Sequence, residues 1–241
     1  MQLHLPLSPV DTKNQPPLYY LQVQDGLILL QSVLWTIAYI LYVRQGFIDS
    51  SYGMPIVCLC ANIAWEFLFG LVVPVSAAQT VAFVPWLIID IGIVYTTWKY
   101  GKHQWKSSPK IANNLGIILT FGIWFMIVCF WCLIKTIGLN ASSFYLGYGL
   151  QLLIGTSSVA QLLSRNNTSG HSWGIWFTRA TGTFFTIVLF GWRYAHYPDS
   201  YPRVAEPMTL FLFGTSELFD VIYPFVYYCV DGTKKDKTKR G

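Results

Sequence analysis

Residues 54–75 read MPIVCLCANIAWEFLFGLVVPV, an apolar run long enough to cross a lipid bilayer, with Glu66 near its middle. A charged side chain at the centre of a membrane helix costs about 2.5–3.5 kcal/mol on insertion scales, so such residues are rare and usually functional. A second pair of acids, Glu217 and Asp220, lies in the last apolar run of the chain. We therefore expect these two segments to bring acidic side chains together inside a membrane protein.

The composition of the chain is typical of a polytopic membrane protein. Hydrophobic residues make up 54% of the 241 residues, charged residues make up only 11%, and the mean hydropathy is +0.44. An ordinary soluble domain is about 25% charged. Apolar runs near the length of a membrane span occur at about 26–43, 54–75, 81–98, 115–135, 144–163, 173–194 and 207–230.

These runs predict an all-α fold, because every backbone polar group in lipid must be satisfied within its own segment. The predicted architecture is a polytopic membrane protein with seven transmembrane helices in one bundle. The predicted domains are an N-terminal tail at 1–25, a transmembrane domain at 26–230 and a basic C-terminal tail at 231–241.

The distribution of basic residues predicts the orientation of the chain. The more basic side would hold Arg44, Lys99, Lys102, Lys106, Lys110, Arg165, Lys234, Lys235, Lys237, Lys239 and Arg240, and the other side Lys13, Lys135, Arg193 and Arg203. The positive-inside rule assigns the first set to the cytoplasm. We therefore expect a lumenal N-terminus and a cytoplasmic C-terminus in the endoplasmic reticulum. The net charge of +5 then reports topology, and no nucleic-acid partner is expected.

Few ionisable side chains lie within the predicted spans, and the acids among them share one depth. Glu66, Asp90, Glu217 and Asp220 all fall near the middle of their spans. Arg179 falls nearer the cytoplasmic end, where it is expected to be an interface anchor or the partner of an acid; a role in binding substrate is the third interpretation. Four acids at one depth favour a functional site over four unrelated acids that are each simply tolerated inside the membrane.

Helical spacing places these acids on defined faces. Asn62 and Glu66 are four residues apart and share a face, as do Glu217 and Asp220, which are three apart. Pro224 lies four residues after Asp220, so its ring removes the hydrogen bond to the Asp220 carbonyl group. The sequence therefore predicts a kinked helix with open space beside Asp220.

Acid chemistry is the predicted use of this layer. Burial disfavours the charged form of a carboxyl group, and a neutral carboxylic acid can donate a proton. Aromatic rings stabilise cations by about 0.5–2 kcal/mol each, and candidates at this depth are Trp65, Trp86, Trp124, Trp176, Phe184 and Tyr223. A proton donor with an aromatic, water-poor lining is what a carbocation cascade needs.

Each candidate also has a structural interpretation. Glu66 and Asp220 could instead hold helices together by hydrogen bonds, and Glu217 is equally consistent with a supporting role. Asp90 is expected to be structural or supporting. Asn62 could orient Glu66 or touch a substrate.

No metal or cofactor is predicted. Cys129 and Cys132 have the spacing of a zinc or redox pair, but they lie in an apolar run with no second pair and no nearby histidine. They are interpreted as small hydrophobic side chains.

Two other classes of membrane protein remain as alternatives. Acids in mid-membrane also serve proton relays, which would make the chain a proton-coupled transporter. The runs show no paired interrupted helices or repeat symmetry typical of transporters. A seven-helix receptor ranks lowest, because the last span has no lysine for a retinal Schiff base and the predicted loops are short.

Several motifs resemble a known family. They are Tyr52-Gly-Met-Pro, Asn62-Ile-Ala-Trp-Glu66, Gln161-Leu-Leu-Ser-Arg165, Glu217-Leu-Phe-Asp220 and Tyr223-Pro-Phe-Val. Together they resemble the fungal integral membrane terpene cyclases of meroterpenoid and indole-diterpene biosynthesis, over nearly the whole chain. The Asn-Ile-Ala-Trp-Glu block is the most specific of them.

The resemblance implies an enzyme of secondary metabolism. It implies a metal-independent cyclase of the isomerase type, which protonates the terminal epoxide of a prenylated small molecule in the membrane. It assigns the catalytic pair to Glu66 and Asp220, although Glu217, one helical turn away, could replace Asp220. Asn62, Asp90, Trp65 and Tyr223 are expected to support the acids or bind substrate, and membrane lipid is the remaining partner.

Overall fold

The computed structural model describes residues 4–240, with side chains described for residues 4–231. All regular structure among these residues is helical. The α-helices are α1 (Pro9–Asn14), α2 (Leu18–Ile48), α3 (Ile56–Phe67), α4 (Ala77–Tyr100), α5 (Pro109–Asn113), α6 (Leu115–Ile137), α7 (Leu139–Arg165), α8 (Trp173–His196) and α9 (Pro207–Arg240). A π-helical turn, Leu68–Val72, continues α3, and short 3₁₀ turns occur at Gly101–Trp105, Pro198–Ser200 and Pro202–Ala205.

Helices cover each of the seven predicted spans, but not all of them are equally apolar. By length and composition, four helical segments could cross a membrane: Leu18–Ile48, Ala77–Trp105, Leu115–Ile137 and Pro207–Asp231. Ile56–Val72 is apolar but shorter, and α7 and α8 are long but more polar. The all-α class is confirmed, and the count of seven spans stays a prediction.

The long helices pack into a closed ring. In order around the ring, α2 contacts α4, α4 contacts α3, α3 contacts α7, α7 contacts α9, α9 contacts α8, and α8 returns to α2. Helix α6 packs outside this ring, against α3 and α7. Large apolar side chains such as Ile117, Phe121, Leu210 and Phe225 are exposed, whereas the mid-span acids Glu66 and Asp90 are 0% exposed.

The first long helix begins earlier than the sequence indicated. It starts at Leu18, inside the predicted tail 1–25, because its polar residues Gln24 and Asp25 are buried against partners. Gln24 donates to Asp11 and accepts from Arg193, and Asp25 accepts from the backbone of Leu5. At the other end, nearly all of the predicted basic tail at 231–241 lies outside the residues whose side chains are described.

Helix α3 changes its winding directly after Glu66. Residues Leu68–Val72 form a π-helical turn, closed by a bond from the Val73 amide to the Leu68 carbonyl oxygen (2.7 Å). Gly70 allows this turn to approach α4, since an added Cβ there would lie 2.9 Å from the Cβ of Phe83. Single π-helical turns within α-helices are frequent at functional sites, and this one was not predicted.

Candidate active site

Three helices meet in a buried polar group around Glu66. The Asn62 Nδ2 atom lies 3.1 Å from Glu66 Oε1, 2.8 Å from Asp90 Oδ2 and 2.7 Å from the Tyr39 hydroxyl oxygen. The Tyr39 hydroxyl donates to Glu66 Oε1 at 2.8 Å. The four-residue spacing on α3 aims Asn62 and Glu66 the same way, and α2 and α4 supply the other two side chains. Asn62 is thus the amide that joins the two acids.

The two acids of this group share one buried site. Glu66 and Asp90 are each 0% exposed and interact directly. Two carboxyl groups that share one site cannot both ionise at modest cost, and they titrate as a pair. Glu66 Oε2 and Asp90 Oδ1 accept no hydrogen bond from the described residues. These two oxygen atoms can each carry a proton, and a proton held there can be donated.

Aromatic rings form a continuous wall beside these acids. The ring centroid of Tyr39 lies 5.8 Å from that of Trp35 and 5.7 Å from that of Trp86. The Phe83 centroid lies 5.3 Å from that of Trp86 and 4.3 Å from that of Trp65. This set, Trp35, Tyr39, Trp65, Phe83 and Trp86, is called the aromatic wall below. Its π-faces can stabilise a cation that forms next to Glu66.

Other aromatic candidates lie elsewhere. Trp124 and Phe184 are 63% and 49% exposed, so these two side chains do not line the buried acidic group. Trp176 lies with the second acidic group, described next.

Asp220 lies in a separate group on the other side of the ring. It forms a buried ion pair with Arg179 of α8; the two side chains are 4% and 1% exposed. Of the interpretations of Arg179, the structure shows the partner of an acid and excludes the exposed interface anchor. A guanidinium group favours the carboxylate form of an aspartate bonded to it. The two acids proposed as a pair thus lie in different surroundings: Glu66 lies beside a second carboxyl group, and Asp220 lies beside a guanidinium group.

The proline four residues after Asp220 has an effect that was only half predicted. Pro224 lies inside α9, which continues through it, and the Asp220 carbonyl oxygen accepts a hydrogen bond from Trp176 Nε1 at 2.7 Å. The carbonyl group that Pro224 frees is thus satisfied by an indole of α8. Trp176 fixes the backbone that carries Asp220.

The remaining predicted residues lie near Asp220. Glu217 interacts electrostatically with Asp220 and Arg179, and its Oε1 atom is buried without a hydrogen-bond partner among the described residues. The Tyr223 hydroxyl lies 2.9 Å from His171 Nδ1. The four acids thus form two groups, and helix α2 contributes a tyrosine to each. Tyr39 donates a hydrogen bond to Glu66. Tyr42, one helical turn later, interacts electrostatically with Arg179 and Asp220.

Tyr39, Tyr42 and His171 contribute to these groups and were missed from the sequence. Tyr39 had a local signal, since Trp35, Tyr39 and Tyr42 recur at helical spacing on one face of α2. His171 lies in the loop before α8 and had none. In the part of the chain that the structure describes, no group of three or more His, Cys, Asp or Glu side chains is placed to hold a metal ion.

Comparison with known proteins matches the sequence of this chain to one family. Residues 10–233 match the model of the Pyr4-like transmembrane terpene cyclases. The chain is 60% identical to the Pyr4-family terpene cyclase mfmH of Annulohypoxylon moriforme, over 98% of both chains. It is 37% identical to the terpene cyclase macJ of Penicillium terrestre, over 93% of this chain and 89% of the relative.

A more distant relative extends the comparison. The asnovolin H synthase nvfL of Aspergillus novofumigatus is 29% identical over 90% of this chain and 91% of its own length. The family model covers most of the chain, and the relatives that are 60% and 37% identical match over nearly its full length. The chain is therefore an integral membrane enzyme and belongs to the Pyr4-like transmembrane terpene cyclases.

Proposed function

We propose that this enzyme starts cyclisation by protonating the terminal epoxide of a prenylated substrate, with Glu66 as the acid. The observation that carries the proposal is the buried group in which Asn62 binds both Glu66 and Asp90. Two acids that share one buried site beside the aromatic wall favour a neutral carboxyl group there. A carboxylic acid kept neutral by its surroundings can donate its proton to an oxygen atom that it would not protonate as a carboxylate.

The reaction balances without another reagent. The proton of the Glu66 carboxyl group moves to the epoxide oxygen, and the bond from that oxygen to the more substituted carbon breaks. Alkene π-electrons form the new carbon–carbon bonds, and the positive charge moves to the next tertiary carbon. The cascade ends when the last cation loses a proton or is captured by a nucleophile. Asn62 and Tyr39 then stabilise the Glu66 carboxylate by hydrogen bonds, and the proton released at the end of the cascade returns to the Glu66–Asp90 group.

Asp220 has the complementary role in this proposal. As a carboxylate paired with Arg179, it attracts positive charge that moves away from Glu66, and it does not start the reaction. Glu217 supports this group. No observation favours the alternative of a proton-coupled transporter, which would need a relay from one membrane face to the other.

The substrate and setting are also proposed. Relatives carry names such as terpene cyclase and asnovolin H synthase, which fits a farnesyl-polyketide type of substrate in secondary metabolism. We place seven spans in the membrane of the endoplasmic reticulum, with the N-terminus lumenal and the C-terminus cytoplasmic. The more basic connecting segments then face the cytoplasm.

The test uses membranes that contain the full chain and an epoxidised farnesyl-polyketide, with products identified by mass spectrometry and NMR. Glu66→Gln and Asp220→Asn are each expected to abolish the cyclic product. Matched controls are Glu206→Gln and Asp199→Asn, which make the same changes at exposed positions and should retain wild-type rates. Full activity of Glu66→Gln would refute the assignment of the acid.

A further inference from the structure

Two of the family-like motifs, Tyr52-Gly-Met-Pro and Gln161-Leu-Leu-Ser-Arg165, have no part in the chemistry above, yet the structure brings them together. Arg165 Nη1 donates to the Tyr52 carbonyl oxygen at 2.8 Å, and its guanidinium group lies 4.1 Å from the Tyr52 ring centroid. Gly53 and Gly170 touch so closely that a Cβ on Gly53 would lie 2.0 Å from the Gly170 carbonyl oxygen. The segment before α3 therefore packs against the end of α7 and the loop that follows it.

Gln161 has one amide orientation that satisfies all of its neighbours. In it, the Gln161 NH₂ group donates to the Gly53 carbonyl oxygen (2.6 Å) and to His171 Nε2 (3.0 Å), while its oxygen accepts from Arg165. In the reverse orientation, the Gln161 oxygen would face the Gly53 oxygen, and two acceptors would oppose each other. Arg165 and Gly53 thus fix which atom Gln161 presents to His171.

This orientation fixes the tautomer of His171. Because Nε2 accepts from Gln161, the ring proton lies on Nδ1, which donates to the Tyr223 oxygen at 2.9 Å. The imidazole stays neutral, since burial, with help from the nearby Arg165 and Arg179 charges, lowers the pKa of His171 to about 3. A Tyr223 oxygen that accepts from His171 keeps its own hydrogen free to donate elsewhere. His171 is therefore a positioning residue that makes Tyr223 a donor.

A second donor without a partner lies close by. Arg179 is 1% exposed, and its Nη1 atom has no hydrogen-bond partner among the described residues, although the same side chain pairs with Asp220. Tyr223 is 2% exposed and interacts electrostatically with Arg179 and Asp220. Buried donors left without an acceptor are costly, each about 1–3 kcal/mol, so native structures rarely keep them without a use.

We propose that Arg179 and Tyr223 bind an oxygen atom on the headgroup of the prenylated substrate. The inference rests on the proposed function, and it adds a second point of attachment to it. The epoxide end of the chain would lie at Glu66 and the aromatic wall, which offer a proton and apolar surface. The oxygenated ring would lie at the Asp220 group, which offers two buried donors. The substrate is thereby held at both ends, and only one orientation places the epoxide against the acid.

The experiment compares two substrates that carry the same epoxyfarnesyl chain. One has a ring with hydroxyl or carbonyl oxygen atoms, and the other has the same ring without them. Tyr223→Phe should lower kcat/KM about 5- to 100-fold for the oxygenated substrate, mainly through KM, and leave the oxygen-free substrate within about 2-fold. Tyr228→Phe makes the same change at a position of α9 that is 73% exposed, and should alter neither.

A second pair of variants tests the direction of the hydrogen bonds while keeping Tyr223. In His171→Asn, the amide can still donate to the Tyr223 oxygen, so discrimination between the substrates should persist. In His171→Asp, the carboxylate only accepts, captures the Tyr223 hydrogen and should reproduce the effect of Tyr223→Phe. This pair remains informative even if Tyr223→Phe does not fold.

Equal losses on both substrates, or no loss on either, would overturn the headgroup site while the proposed reaction stands. Identical behaviour of His171→Asn and His171→Asp would also overturn it. If the wild-type enzyme cyclises neither epoxide, then the proposed reaction itself fails, and the headgroup site fails with it.

Discussion

Replacing Asn62 by leucine tests the acidic group more sharply than removing an acid does. Leucine is close to asparagine in size, so packing among α2, α3 and α4 should persist. The substitution removes the donor that lies 3.1 Å from Glu66 Oε1 and 2.8 Å from Asp90 Oδ2. Glu66 keeps the hydrogen bond from Tyr39, whereas Asp90 Oδ2 loses the partner that the structure gives it.

The expected effects on stability and on rate differ in size. Side-chain hydrogen bonds between membrane helices contribute about 0.6–2 kcal/mol each, so folding should weaken only modestly. After proton transfer, Glu66 is an anion, and a hydrogen bond to a charged group contributes about 1.5–3 kcal/mol. Because this bond is strongest once the charge has formed, its loss should lower kcat about 10- to 150-fold.

The measurement is kcat for cyclisation by purified enzyme in lipid nanodiscs, together with the unfolding temperature in detergent. Asn140→Leu is the matched control, since Asn140 is exposed in the first turn of α7. A kcat for Asn62→Leu within 3-fold of wild type would refute the reasoning, because Asn62 would then hold helices together without supporting the acid.

Three further predictions concern stability. Gly170→Ala should destabilise the protein more than Gly138→Ala. Both glycines have φ +87°, but only Gly170 is crowded, and overpacking adds about 1–3 kcal/mol of destabilisation. Equal unfolding temperatures of the two variants would contradict this prediction. Burial lowers the pKa of His171 to about 3, so only the unfolded chain binds a proton at this position as the pH falls below about 6.5. Lowering the pH from 7 to 5 should therefore reduce the free energy of unfolding by about 2 kcal/mol. His171→Asn should not show this loss. Trp176→Phe leaves the Asp220 carbonyl oxygen unbonded and should cost about 1–3 kcal/mol, measured by thermal unfolding in detergent, where an unchanged midpoint would show that another donor replaces it.

Local spacing in the sequence predicted what happens within one helix. The shared face of Asn62 and Glu66 follows from a separation of four residues, and both appear in one group in the structure. The lost bond at the Asp220 carbonyl group follows from Pro224. These conclusions needed only helix geometry, because the residues concerned lie within a turn of each other.

Contacts between helices could not be derived in the same way. Nothing local to Asp220 indicates that Arg179, 41 residues earlier, pairs with it, or that Trp176 bonds to its backbone. The same holds for Asp90, which reaches Asn62 across 28 residues. Such pairs depend on which helices become neighbours and on their relative depth, and a single sequence does not specify either.

The start of α2 shows that hydropathy does not locate the end of a helix. Gln24 and Asp25 lower the apolar character of residues 18–25, so the predicted span began after them. In the structure these side chains are buried, because Asp11, Arg193 and the Leu5 backbone supply their hydrogen bonds. A polar residue ends an apolar run in the sequence, but it does not end a helix whose polar groups find partners.

The separation of the acids into two groups helps to explain how a site without water could form a cation and stabilise it as it moves. In the proposed reaction, the charges of Asp220 and Arg179 cancel before the substrate binds. Moving the proton from Glu66 to the epoxide creates one positive and one negative charge, so the net charge of the site does not change. The cost of separating them in a medium of low dielectric constant rises with distance. The aromatic wall and the Asp220 carboxylate lower that cost by stabilising the cation as it moves away, while Asn62 and Tyr39 stabilise the anion left behind.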